Sequence, residues 1–198
     1  MARRMHIIDR DYGWQRLKRE ISLARKKPHT AVGIFGEKAA ADHGGIPNIQ
    51  VATAHEFGAT INHPGGTAYI VGSDGQANFV SNAAAQGRNL PRTKPHKIEI
   101  PERSFIRGTM DEKGKTIGRI AHRLFRTVLL GQLTTHKALE VLGLFIQGQI
   151  RQRISRGIAP PLKPATIKRK TVNGKAGTTP LIDTGQLRAS IDFQVKNA

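Results

Sequence analysis

Two successive stretches of helical hydrophobic periodicity constrain the fold of this chain more than any other feature. Apolar residues that recur every three or four positions share one face of an α-helix. The first series is Ile117, Ile120, Leu124 and Val128, and the second is Leu139, Leu142, Ile146, Ile150 and Ile154. Gly131 interrupts the pattern, Thr134 or Thr135 can cap a restart, and Gly157 ends it. The sequence therefore predicts one long bent helix or two consecutive helices between residues 111 and 157.

Shorter segments around this helical region alternate between helical and extended patterns. They comprise a basic helix over residues 9–27, a strand over 30–36, a loop over 37–47 and a helix over 49–57. Near the C-terminus, Asp183 and Thr184 can cap a short helical turn that carries Leu187 and Ile191 on one face. Residues 191–195 then alternate between apolar and polar side chains, as in a strand with one buried face. We predict a single α+β domain of residues 1–198, in which helices pack on a small antiparallel sheet.

The segment between residues 62 and 97 is predicted to form an inserted arm. Its two short β-like runs are Tyr69-Ile70-Val71 and Asn78-Phe79-Val80, and the intervening Gly72-Ser73-Asp74-Gly75 tolerates positive φ angles. These runs predict a β-hairpin, and residues 82–96 are predicted as a loop that returns to a strand at 97–100. Because the arm has little core of its own, we expect it to pack on another protein surface. The candidate interface residues are Tyr69, Ile70, Val71, Phe79 and Val80.

A tight basic loop is predicted at residues 101–107, directly before the long helical region. We expect Phe105 and Ile106 to enter the core, and Arg103 and Arg107 to point outward. Asp111 and Glu112 follow at the predicted start of the next helix, where negative charge suits the helix dipole.

The net charge of +18 is the largest compositional anomaly, with 32 Lys and Arg against 14 Asp and Glu. Such a chain attracts polyanions, which include nucleic acid, an anionic membrane and acidic protein surfaces. The alternative is a solvated basic surface with no specific target. Residues 141–182 contain no acidic side chain. The candidate contacts to DNA or to a partner are Arg103, Arg107, Arg151, Arg153, Arg156, Lys168, Arg169 and Lys170.

No constellation for catalysis or metal binding is recognisable in the sequence. The eight histidines lack the spacing of metal ligands, and the chain has no cysteine. The Gly-rich sequences at 42–45 and 63–66 lack the Gly-Lys-Ser/Thr ending of a phosphate-binding loop, and no serine stands in a nucleophile elbow. We therefore predict a protein that is not an enzyme and uses no cofactor. No apolar run of 18 residues exists, so no membrane span is predicted.

Four sequence stretches resemble a family of small proteins at the head–tail junction of tailed bacteriophages, known as neck, tail-completion or virion morphogenesis proteins. They are AHEFGATI at 54–61, IPERSFIR at 100–107, GIAPPLKPATIKRKT at 157–171 and PLIDTGQLRASI at 180–191. The last stretch contains Asp183, Thr184, Gly185 and Leu187. In one departure, the family's usual Arg-Pro-Phe is here Arg103-Ser104-Phe105. The resemblance extends over roughly residues 50 to 195.

This resemblance implies a structural subunit that forms a homo-oligomeric ring around the DNA channel. The implied partners are portal- or adaptor-type connector proteins, tail tube or tail terminator proteins, and the packaged double-stranded DNA. The implied location is the virion, after synthesis in the host cytoplasm, with no membrane partner. The alternative hypothesis is a free basic nucleic-acid-binding protein, which the charge favours. Against it stand the low aromatic content of 5% and the lack of a known DNA- or RNA-binding signature.

Overall fold

The structure is a computed structural model that describes residues 13–42, 45–73, 75, 77–164, 166, 167, 170 and 178–197. It is an α+β chain, as predicted. In chain order its elements are α1 (Trp14–Ala24), β1 (His29–Gly33), α2 (Glu37–Ala40), α3 (Asn48–Phe57), β2 (Ala59–His63), β3 (Tyr69–Val71), β4 (Ala77–Phe79), α4 (Asn82–Ala85), β5 (His96–Ile100), α5 (Arg107–Leu129), α6 (Thr135–Arg156), α7 (Gln186–Ser190) and β6 (Asp192–Lys196).

The long helical region consists of two consecutive helices, α5 and α6, which pack against each other. The restart is capped as predicted, because the Thr134 hydroxyl accepts a hydrogen bond from the backbone N–H of Lys137 at 3.3 Å. The core forms where the predicted apolar faces meet the C-terminal segment. Its large buried side chains include Phe105, Ile117, Ile146, Ile150, Ile154, Leu187 and Ile191. Each such side chain contributes about 1.5–3 kcal/mol through burial.

The strands form three separate two-stranded antiparallel sheets rather than one sheet. The pairs are β1 with β6, β2 with β5, and β3 with β4. The C-terminal strand is therefore tied to the first strand, in a register that places Val32 opposite Phe193. This sheet packs on α6, where Gly143 allows the close approach: a Cβ atom there would lie 2.5 Å from Phe193 and from the Thr30 hydroxyl. Gly148 has no such neighbour within the described residues.

Several predicted boundaries are wrong in detail. The first helix begins at Trp14, and residues 9–12 of its predicted range lie outside the described residues. The predicted loops at 37–47 and 82–96 each contain a one-turn helix, α2 and α4. The helix α5 begins at Arg107, so Asp111 and Glu112 lie beyond its first turn and do not start it. A single turn of helix can form with one hydrogen bond, and its four residues are too few to show a hydrophobic periodicity in the sequence.

The C-terminal turn is capped in part as predicted. The Thr184 hydroxyl accepts the N–H of Gln186, the first residue of α7, at 3.3 Å. Gly185 occupies the N-cap position itself, with a φ of 81°. The shared face of Leu187 and Ile191 is confirmed, since both side chains are buried.

Candidate functional site

The buried carboxylate of Glu56, in the first of the four resembling stretches, binds the backbone of the second. One carboxylate oxygen accepts the N–H groups of Phe105 (2.8 Å) and Ile106 (3.0 Å). The other accepts the Arg107 N–H at 2.9 Å and the Ser104 hydroxyl at 2.7 Å. These amides lie at the N-terminus of α5, where backbone N–H groups lack partners within the helix. Glu56 therefore fixes the N-terminal end of α5 against α3.

The pKa of Glu56 is lowered in the folded chain, although two effects oppose each other. Burial of the side chain, which is only 5% exposed, raises the pKa by disfavouring the charged form. Hydrogen bonds from the amides of Ile106, Arg107 and Phe105 and from the Ser104 hydroxyl outweigh this effect. The carboxylate is thus ionised at neutral pH, and its charge is directed at backbone dipoles rather than at solvent.

Two arginines of the same loop extend this network in different directions. Arg107 remains half exposed but is paired, since its guanidinium contacts Glu56 at 3.3 Å and Glu102 at 2.8 Å and lies 4.5 Å from the Phe57 ring centroid. Arg103 is buried, so the prediction that it points outward is wrong. It donates to the carbonyl of Pro160 at 2.9 Å, in the third resembling stretch, and burial lowers its pKa. Arginine remains charged even so, because its ordinary pKa is so high.

The fourth stretch, at 180–191, borders the same region of the molecule and contributes to the lining of a cleft there. A cleft of 580 Å³ lies between α3, the Arg103 loop and the segment before α7, and its lining includes His55, Arg103, Lys170, Asp183 and Leu187. The Lys170 ammonium donates to the carbonyl of Ile182, which connects the third and fourth stretches. All four resembling stretches thus converge on one structural unit, whose polar groups mainly bind its own backbone.

The arm forms the predicted hairpin, with β3 and β4 antiparallel and Tyr69 opposite Phe79. Its base is held by backbone bonds to the returning segment, among them Tyr69 N–H to Pro91 carbonyl at 3.0 Å and Gly66 N–H to Thr93 carbonyl at 2.8 Å. Large apolar side chains at the hairpin stay in solvent: Phe79 is 63% exposed, Val71 57% and Ile70 40%. Tyr69 and Val80 are half-buried. The arm therefore presents apolar surface that no residue of the described ranges covers.

The remaining basic candidates divide between internal and exposed positions. Arg151 donates to the carbonyls of Ala189 and Ile191, and Arg153 pairs with Glu112 at 2.7 Å. Both therefore support the fold, whereas Arg156 is exposed at the end of α6. Lys168 and Arg169 lie outside the described residues. Contact of these side chains with DNA or a partner stays a prediction.

A row of exposed basic side chains on α5 was missed by the sequence reasoning. Lys115, Arg119, His122 and Arg126 follow the i, i+4, i+7, i+11 spacing of one helix face, opposite the buried stripe. In the described part of the chain, none of the four forms an ion pair with a carboxylate. The absence of acidic residues between positions 113 and 139 was the available signal. We call these four residues the α5 basic row.

A second missed contact fixes α1 to the start of α6. The buried Glu20 carboxylate accepts the Thr135 hydroxyl at 2.6 Å and the Thr135 N–H at 2.9 Å. These bonds, the hydroxyl bond first, lower the pKa of Glu20. Because Glu20 lies among Arg and Lys residues, its sequence context indicated only a solvated helix face.

The described residues offer little for metal or membrane chemistry. Within them, no group of three His, Cys, Asp or Glu side chains is placed to hold a metal ion, although the rings of His63 and His96 stack across β2 and β5 with centroids 5.0 Å apart. No helix in the described ranges has the length and apolar character that a membrane crossing requires.

Comparison with known proteins identifies no relative: no family model matches the sequence, and no curated protein or solved structure matches it significantly.

Proposed function

We propose that this protein is a structural subunit of a phage head–tail junction, which assembles into a ring around the DNA channel and joins the connector to the tail. The observation that carries this proposal is the exposed apolar arm. Monomeric proteins rarely leave large apolar side chains together on a protruding element, and such patches are typical of interaction sites. The four stretches that resemble the neck-protein family also support the proposal, since hydrogen bonds link them into one structural unit.

The polar groups of the structural unit support assembly rather than catalysis. Glu56 is a buried carboxylate of this unit, and its two oxygens already accept four hydrogen bonds from the loop at 104–107. Arg103, which lines the cleft, is held by proline carbonyls. A general acid or base needs free hydrogen-bonding capacity toward a substrate. These groups serve instead to fix the arm-bearing half of the chain to α5.

The α5 basic row supports contact with a polyanion in the assembled state. Its members are exposed, and among described residues they lack carboxylate partners, so Lys115, Arg119 and Arg126 can each neutralise a phosphate. In a ring around packaged DNA, a straight row of this kind suits the phosphate backbone without reading bases. The same row favours the second candidate function, a free nucleic-acid-binding protein.

One pair of measurements tests the proposal against this second candidate. Mass photometry and electron microscopy of the purified chain over a range of concentrations should show closed rings with a central channel. In phage particles whose genome encodes the chain, labelling should place it at the collar. Replacing residues 67–92 by a short Gly-Ser linker should leave the domain folded and abolish ring formation. A monomer that is absent from particles, and whose duplex affinity falls steeply with salt, would instead establish the second candidate.

A further inference from the structure

The cleft of 580 Å³ between α3, the Arg103 loop and the segment before α7 has the size of a ligand site. Ligand-binding clefts in proteins usually measure about 300–1,000 Å³. Its apolar lining residues are Val51, Leu162, Leu181, Ile182 and Leu187. Its charged lining residues are Arg103, Lys170 and Asp183. The cleft therefore combines apolar walls with an excess of positive charge.

Arg103 brings a buried positive charge to this cleft without a carboxylate to balance it. The residue is only 6% exposed, and in the described ranges no carboxylate lies within ion-pair distance of its guanidinium. Burial is accordingly what lowers its pKa. Because an unpaired buried charge destabilises a fold, such a site gains from an anion that enters from outside.

The guanidinium of Arg103 is held in one orientation by backbone carbonyls. Its Nε donates to the Pro160 carbonyl at 2.9 Å, and its Nη2 donates to the Pro161 carbonyl at 3.4 Å. Nη1 donates to none of the described residues and does not belong to the polar atoms that are sealed from solvent. Because Arg103 lines the cleft, a ligand there can reach this nitrogen. The fixed orientation lowers the cost of binding.

The other two charges of the lining differ in their exposure. Lys170 is half-buried, and its bond to the Ile182 carbonyl uses one of the three ammonium hydrogens. Asp183 is exposed, so water and salt screen its charge more than that of the buried Arg103. The two cations therefore determine the sign of the charge that a ligand meets inside the cleft.

We infer that this cleft binds a carboxylate that carries an apolar stem. The carboxylate accepts hydrogen bonds from Arg103 Nη1 and from the Lys170 ammonium, and the stem packs on the apolar walls. Hydrogen bonds between ionised groups are about twice as strong as neutral ones. One carboxylate balances the two cations and one anion of the lining, whereas a phosphate dianion would exceed this balance. The C-terminal residue of a protein chain and a small free carboxylic acid share this chemistry.

Titration of the isotope-labelled chain, followed by the NMR shifts of its backbone amides, tests this inference. The probes are the tripeptide N-acetyl-Ala-Ala-Leu with a free carboxylate, the same peptide as its C-terminal amide, sodium valerate and inorganic phosphate. The peptide acid should shift the amides of residues 181–187. It should bind at least about tenfold more tightly than the peptide amide, because the amide lacks the charge-assisted hydrogen bonds.

Two charge reversals in the same segment provide matched variants. Lys170→Glu places a carboxylate in the wall of the cleft, and Lys163→Glu makes the same change of net charge at an exposed position outside the lining. Lys170→Glu should weaken binding of the peptide acid at least about tenfold, as the loss of a charged partner does. Lys163→Glu should change it by no more than about twofold, because salt screens an exposed charge. The amide spectrum of each variant shows that it is folded.

The probes also separate the two sources of the carboxylate. Tighter binding of the peptide acid than of valerate supports the end of a protein chain, and equal or tighter binding of valerate supports a small carboxylic acid. Three results overturn the site: no shift at 181–187, equal affinity for peptide acid and peptide amide, or equal weakening by the two reversals. Phosphate that binds at these amides as tightly as the peptide acid shows general attraction of anions and also overturns it. Rings are measured separately, so an overturned site leaves the proposed function intact.

Discussion

Removal of the Glu56 carboxylate should destabilise the fold more than removal of any exposed carboxylate. In Glu56→Ala the three amides at the start of α5 and the Ser104 hydroxyl lose their acceptor at once. Hydrogen bonds to a charged group contribute about 1.5–3 kcal/mol each, and the released desolvation cost of the carboxylate offsets part of the sum. The expected loss is about 4 kcal/mol, comparable to breaking other buried charged networks.

Thermal and urea unfolding, followed by circular dichroism, measure this loss. For a chain of this size about 4 kcal/mol corresponds to a decrease in melting temperature of about 8–16 °C. Glu56→Gln keeps one acceptor oxygen and should lose about half as much. The matched control is Glu99→Gln on β5, where the side chain is exposed and the change should stay within about 0.5 kcal/mol.

The pH dependence of stability gives an independent check. The folded-state pKa of Glu56 lies below its ordinary value of 4.5, so the folded chain binds this proton less readily than the unfolded chain. Its contribution is therefore complete above pH 4.5 and is lost as the pH falls through the lower folded-state pKa. The difference in free energy of unfolding between wild type and Glu56→Gln should therefore become smaller as the pH falls below 4.5. If the free energy of unfolding of Glu56→Ala lies within about 1 kcal/mol of the wild-type value, the carboxylate does not hold the loop and the reasoning fails.

Two further predictions concern helix α6 and the α5 basic row. Gly143→Ala should lower the free energy of unfolding by about 1–3 kcal/mol, because its Cβ would lie 2.5 Å from Phe193. Gly148→Ala, which has open space around it, should raise the free energy of unfolding of the isolated chain by about 1 kcal/mol in the same assay. Equal effects of the two substitutions would refute the close approach at Gly143. Arg119→Glu with Arg126→Glu should weaken duplex binding at low salt and flatten its salt dependence without changing the melting temperature, and an unaltered salt slope would show that the row is merely solvated.

Local periodicity predicted the elements that have a long apolar stripe. Both α5 and α6, their capped junction at Thr134 and the alternating strand β6 follow from side-chain spacing, because burial selects one face of a regular element. The one-turn helices α2 and α4 lack enough residues to show a period. The division into three small sheets depends on long-range pairing, such as His29 with Lys196, which no local pattern encodes.

The candidate site likewise contains features that could be predicted from the sequence and features that could not. The hairpin arm could be predicted from two β-like runs around a turn, and the exposure of Phe79 agrees with the absence of a core beneath it. The orientation of Arg103 could not be predicted, because an arginine in a polar loop normally faces water. Only the tertiary fold brings the carbonyls of Pro160 and Pro161 to its guanidinium. The role of Glu56 was hidden for the same reason, since its partners are 48 to 51 residues away in sequence.

The position of Glu56 also determines where mechanical load on the hairpin is carried. The ribbon of β2 and β5 leaves α3 just after Phe57 and returns just before Glu102, so its two roots flank the bound carboxylate. A force applied to the tip of the arm reaches the hydrogen bonds of the Glu56 carboxylate first and is transmitted from there along α5. Tension from a neighbouring molecule would then be borne by α5, the longest of the described helices, and not by the sheet of β1 and β6.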